Sequence, residues 1–136
     1  MKLIINKTIS SDLYKAKNIL DEIINKVNMA ICDEDIIFEV KLILNELVAN
    51  SIIHGNKQDE CKIVNVYIKI QNELIRIEVT DEGKGIDYDI DEYDPMDLKI
   101  GGRGLVIVNG LSDEFYIEKN KVISIKYLKR KSKYIM

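Results

Sequence analysis

The 136-residue sequence predicts an α+β fold, a two-layer α/β sandwich with a mostly antiparallel sheet and helices packed on one face. Three observations predict it. Two long stretches of helical apolar period occupy the first half, four alternating stretches follow in two pairs, and a short helical stretch separates the pairs. Helices grouped beside hairpin-connected strands stack as layers. The length fits a single domain, residues 1–136. Folding at this size removes roughly 68% of the unfolded chain's surface from water, enough for one core.

Residues 2–9 alternate weakly and read as a first strand. From Asp12, Leu13, Ala16, Leu20, Ile23, Ile24, Val27 and Ile31 recur with helical period, with Ser10 or Ser11 placed to cap the helix. A second helix is expected from Asp33 to about His54, stopped by Gly55, with Ile36, Ile37, Val40, Leu44, Leu47, Val48 and Ser51 as its buried stripe. Lys62 to Ile70 and Leu74 to Asp81 alternate as strands across a turn at Gln71-Asn72-Glu73. A short helix from about Arg103 to Leu111 precedes a hairpin, Glu114–Lys119 and Val122–Lys129, turning at Asn120.

Composition narrows the function. The net charge is −3 and no basic stripe runs through the body of the sequence, so non-specific nucleic-acid binding is not expected. No apolar run approaches the roughly 20 residues that a membrane helix needs, and the N-terminal apolar stretch is too short for a signal peptide. Cys32 and Cys61 fit no metal spacing and point to a reducing, cytoplasmic setting. All seven glycines and the single proline lie between Gly55 and Gly110, in loops where something must come close to the main chain. Residues 86–100 have no period and carry Asp87, Asp89, Asp91, Glu92, Asp94 and Asp97. Glu92 stands where an EF-hand loop requires glycine, so the segment reads as a flap rather than a calcium site.

Three segments carry chemistry. In the second helix Glu46, Asn50 and His54 stand at i, i+4 and i+8, on one expected ridge. An Asn oxygen is a hard ligand suited to Mg²⁺, and a Glu one turn earlier suits proton abstraction from a hydroxyl. A helix flank whose polar residues simply reach water has the same pattern. In the strand Ile75 to Asp81, parity puts Asp81 on the face of Ile75, Ile77 and Val79, pointing inward toward a donor. Gly83 and Gly85 follow it and leave room for a flat ligand, though an Asx turn alone also fits. Gly101-Gly102-Arg103-Gly104 opens a helix and offers free N–H groups to an anion, with phosphate the natural candidate; a tight connection reads alike. It is neither a Walker loop nor a dinucleotide fingerprint.

In this order and spacing the segments resemble the GHKL, or Bergerat-fold, ATPases. Glu46-x-x-x-Asn50 matches the N box, Asp81-x-Gly83-x-Gly85 the first glycine box, and Gly102-x-Gly104-Leu105 the second. Within that superfamily the chain is most similar to the bacterial anti-sigma-factor serine/threonine kinases. Asn50 to Gly55 ends the N-box helix as theirs does, and Asp94-Pro95 and Gly101 to Leu105 match their lid and the segment after it. A sensor histidine kinase needs an acceptor histidine, and the only histidine here is His54, inside the matching site.

The resemblance implies that ATP and Mg²⁺ are bound. It assigns Asp81 to the adenine amino group, Gly83 and Gly85 to the base, and Asn50 to Mg²⁺. Gly102, Gly104 and Leu105 would cradle the phosphates with Arg103 reaching toward them, His54 would line the pocket, and Glu46 would be the catalytic base. It implies an ATP lid over about residues 86–101, and a kinase that phosphorylates an anti-sigma antagonist protein and sequesters a sigma factor. Relatives often pair as homodimers. Two alternatives remain at this level: a nucleotide-gated binding module without kinase activity, and a detached histidine-kinase catalytic domain.

Overall fold

A computed structural model describes residues 2–85 and 102–128; the expected lid and residues 129–136 lie outside the described residues. Strand β1 (Leu3–Ser10) runs into helix α1 (Leu13–Ile31) through Ser11 and Asp12. The expected serine cap is replaced by Asp12, whose Oδ1 accepts from Tyr14 N at 2.8 Å and Lys15 N at 3.2 Å. Ser10 is still in the sheet, paired with Ile63, and the buried Ser11 hydroxyl donates to Lys62 O at 2.7 Å. Neither serine is left for the helix. Cys32, in the left-handed region with φ 48°, closes α1 by donating its N–H to Asn28 O. Helix α2 (Glu34–Asn50) begins at the Asp33 cap, as its sequence signal requires.

Strands β2 (Ile63–Gln71) and β3 (Leu74–Thr80) form a hairpin. Its two turn residues, Asn72 and Glu73, both adopt positive φ, as the twist of a two-residue hairpin favours. Helix α3 (Gly102–Leu111) then leads to β4 (Glu114–Glu118) and β5 (Lys121–Tyr127). Every pairing is antiparallel, in the order β1-β2-β3-β5-β4, so β5 docks between β3 and the edge strand β4. The period-two pattern sets the faces. Ile5, Ile9, Val64, Val66, Ile68, Ile70, Ile75, Ile77, Val79 and Val122 point into one core with Ala16, Leu20, Ile23 and Val27 of α1, and with Leu105 and Val108 of α3. Helix α2 adds Ile36, Val40, Ile43, Leu44, Leu47 and Val48, so Ile43 is in the core and Ile37 only partly so. Among the described residues, no helix is long and apolar enough to cross a membrane.

One polar strut crosses this core. Ser124 and Lys126 lie on the helix side of β5, opposite Ile77 and Ile75. Lys126 is 5% exposed; its Nζ pairs with Glu39 Oε2 of α2 at 2.7 Å and donates to Leu111 O at the end of α3. A buried ammonium is tolerated only when paired and hydrogen-bonded, and here one charge ties two helices to the sheet. Ser124 shares a 2.6 Å hydrogen bond with Ser112, whose hydroxyl also donates to Val108 O. Lys126→Ala is expected to cost about 3 kcal/mol, as breaking a buried pair does. Urea unfolding should show a lower midpoint at unchanged slope; an unchanged midpoint would remove the strut from the account.

Candidate functional site

Asp81 follows the last residue of β3 and is 8% exposed, pointing inward as parity requires. Its main chain continues the sheet: Asp81 N donates to Asn120 O at 3.0 Å, and Asn120 Nδ2 returns a bond to Asp81 O. Asp81 Oδ1 accepts from Gly83 N at 2.8 Å, the Asx bond that turns the chain. Among the described residues Oδ2 takes no hydrogen bond and faces Gly55. A Cβ on Gly55 would stand 2.2 Å from Oδ2, and one on Gly83 would stand 2.4 Å from Gly55 O. The carboxylate is thus walled by two stretches of bare backbone, where a larger residue at either glycine would force Asp81 or the Gly55 backbone to shift. Gly85 adopts φ 101° beside Lys119, a conformation that suits glycine.

The helix that delivers Gly55 is not α-helical to its end. After Asn50 it widens into a π-turn, Ser51–Gly55, closed by an i to i+5 bond from Asn56 N to Ser51 O at 2.8 Å. A π-turn holds more residues per revolution than an α-turn, so the 3.6-residue spacing behind the expected ridge ends at Asn50. Among the described residues no hydrogen bond joins His54 to Asn50 or Asp81. His54 is half-buried in the same turn as Gly55.

Glu46 faces a second bare stretch. A Cβ on Gly104 would stand 2.6 Å from Glu46 Oε2, so α3 passes directly over this carboxylate. Gly102, Arg103, Gly104 and Leu105 form the first turn of α3, where backbone N–H groups lack intrahelical partners and the dipole favours an anion. The Leu105 side chain is buried in the core and anchors that turn. Asn50 is half-exposed, one turn beyond Glu46. Among the described residues no three His, Cys, Asp or Glu side chains gather to hold a metal. The arrangement offers a buried acceptor at Asp81, a carboxylate at Glu46, and an anion-binding helix start beside the latter.

The sequence model of the histidine kinase-like ATPase domain matches residues 9–126. The chain belongs to that family. The serine-protein kinase RsbW of Staphylococcus aureus (strain MSSA476) is 31% identical over 109 residues, 71% of this chain and 69% of its own length. RsbW of strain JH9 matches over the same length at the same identity. The anti-sigma F factor of Clostridium botulinum (strain Alaska E43 / Type E3) is 34% identical over 92 residues, 64% of each chain. The expected GHKL resemblance and the α+β sandwich both hold for this histidine kinase-like ATPase domain.

Within the ATPase domain the structure adds residues that the sequence reading passed over. Gly55 was expected only to stop a helix, and it also walls the Asp81 carboxylate. Asn120 and Asn56 hold the end of β3 from two sides. The sequence signal for Asn120 was weak: once β3 and β5 are in register, Thr80 faces Lys121, which places Asn120 beside Asp81.

Burial holds the His54 imidazole below the usual histidine value, and the Lys57 ammonium lowers it further. Between that lowered value and the ordinary 6.5, the unfolded chain binds more protons than the folded one. Stability therefore rises with pH through this window, and the contribution is lost as acid protonates the unfolded histidine. An NMR titration of the single histidine should give a midpoint under 6.5; a midpoint at 6.5 would mean a solvated imidazole, and one above it a carboxylate partner.

Proposed function

We propose that this chain is an ATP-dependent protein serine/threonine kinase and anti-sigma factor, which phosphorylates an anti-sigma antagonist protein and binds a sigma factor. The names of its relatives, serine-protein kinase RsbW and anti-sigma F factor, support that reading. The observation that carries it is the Glu46 carboxylate against Gly104, beside the first turn of α3. A module that only bound nucleotide would have no use for a base at the phosphate end.

In this reading Asp81 accepts from the adenine amino group while the Gly83 and Gly85 backbone leaves room for the base. The N–H groups of Gly102, Gly104 and Leu105 cradle the phosphates, Arg103 reaches toward them, and His54 lines the pocket. Asn50 holds Mg²⁺, which neutralises phosphate charge when bound. Glu46 takes the proton of the incoming Ser or Thr hydroxyl. Its oxygen bonds to the γ-phosphorus as the bond to the bridging oxygen breaks, and ADP leaves. Phosphoryl transfer depends mainly on position and charge compensation, so this small set suffices. Exposed Ile4, Tyr116 and Tyr127 on the sheet face away from the helices support a second copy as a partner. A sigma factor as partner places the reaction in the cytoplasm.

Radiolabelled ATP with candidate antagonist proteins from the same genome tests this directly. Acid-stable label is expected on a Ser or Thr, with transfer lowered about 100-fold or more in Glu46→Gln and abolished in Asn50→Ala. Acid-labile, base-stable label would identify a histidine-kinase catalytic domain. Nucleotide binding with no label at all would leave a binding module.

A further inference from the structure

Asn56 lies just past the π-turn and is 0% exposed. Its side chain joins three segments that are distant in sequence. Nδ2 donates to Ser11 Oγ at 2.9 Å, at the start of α1, and to Ile63 O at 2.9 Å, at the start of β2. Oδ1 accepts from Glu82 N at 2.8 Å. That third bond falls on the peptide that follows Asp81. The carbonyl of the same peptide accepts from Asn120 Nδ2. The Asp81–Glu82 peptide is therefore gripped at both ends, its C=O by one asparagine and its N–H by another. A peptide unit is planar, so rotating it would break both bonds together. Its orientation fixes where the Asp81 Cα directs the carboxylate.

We propose that Asn56 is the positioning residue that aims Asp81 at the adenine amino group, and that it sets purine specificity through Glu82 N–H. The proposal rests on the reading of Asp81 as the adenine acceptor. The two functions of the amide are separable by atom. Nδ2 ties scaffold to scaffold, whereas Oδ1 ties scaffold to the nucleobase acceptor. Without Oδ1 the Glu82 N–H loses its buried partner and the peptide is free to turn. A guanine base carries an oxygen where adenine carries the amino group, so a displaced carboxylate loses adenine affinity without a matching loss for guanine.

The test is calorimetric titration of Mg·ADP and Mg·GDP into purified variants whose fold is checked by circular dichroism. Asn56→Ala should weaken ADP about tenfold, as loss of a buried hydrogen bond at the site does. GDP binding should change little, so the ADP-over-GDP preference should shrink by about the same factor. Ser11→Ala removes one scaffold bond only; it should lower the melting temperature and leave the preference at the wild-type value. Asn56→Asp keeps an acceptor for Glu82 N–H and loses both donors, and should also keep the preference. It serves as the test should Asn56→Ala fail to fold. A wild-type preference in Asn56→Ala would overturn the proposal, as would a preference lost in Ser11→Ala or Asn56→Asp. Asp81→Asn, measured alongside, separates the two readings. If it binds ADP with wild-type affinity and preference, the adenine reading falls. If it loses both while Asn56→Ala loses neither, only the assignment of Asn56 falls.

Discussion

The backbone of Gly55 lies against the Asp81 carboxylate so closely that a single methyl group would overlap it. Two elements meet there, the end of the long helix and the end of a central strand, and they meet without a side chain between them. The contact explains other features around it. A strand of strict alternation directs Asp81 inward, and the π-turn after Asn50 swings the helix end onto it. Gly83 then folds back over Gly55 O, and its N–H takes one carboxylate oxygen. An acid in such a place costs free energy unless its hydrogen bonds are supplied, so a site of this kind is built for a donor.

Holding that arrangement requires satisfied polar groups on every side. Asn120 grips the Asp81 main chain from the hairpin, Asn56 grips the next peptide from the helix side, and the Glu82 carboxylate accepts from Ile63 N at 2.6 Å. Among the described residues no fully buried side-chain nitrogen or oxygen lacks a partner, and in this network Asp81 Oδ2 is the acceptor left open. A fully satisfied polar network gives one defined geometry, whereas a partly satisfied one weakens the fold. The side of the site where Glu46 meets Gly104 is organised differently. There Leu105 seats the first turn of α3 in the core and Lys126 holds its last turn to α2 and β5, so the helix start is aimed from both ends.

Much of this was legible in the sequence because it depends on local period. The faces of β2 and β3, the inward Asp81, the Asp33 start of α2 and the glycine opening of α3 follow from spacing alone. The places where reading failed depend on partners far along the chain. Ser10 and Ser11 look like caps until pairing with Ile63 and the bond to Lys62 O claim them, which leaves Asp12. The second helix, expected to run α-helical to about His54, instead ends at Asn50 and widens into the π-turn Ser51–Gly55. Ile43 joins the core and Ile37 packs against its edge, partly buried. Asn56 gave no signal, since its partners lie 45 and 26 residues away.

The central claim is that one cleft, walled by bare backbone and lined by Glu46, Asn50 and Asp81, receives the nucleotide. Amide chemical-shift mapping during addition of Mg·ADP to the isotope-labelled chain tests it most directly. The account predicts large, saturable shifts at Gly55, Asp81, Gly83 and Gly104, with the Gln71–Glu73 end of the sheet unchanged. Shifts confined to that far end, or no shifts at millimolar nucleotide, would contradict it.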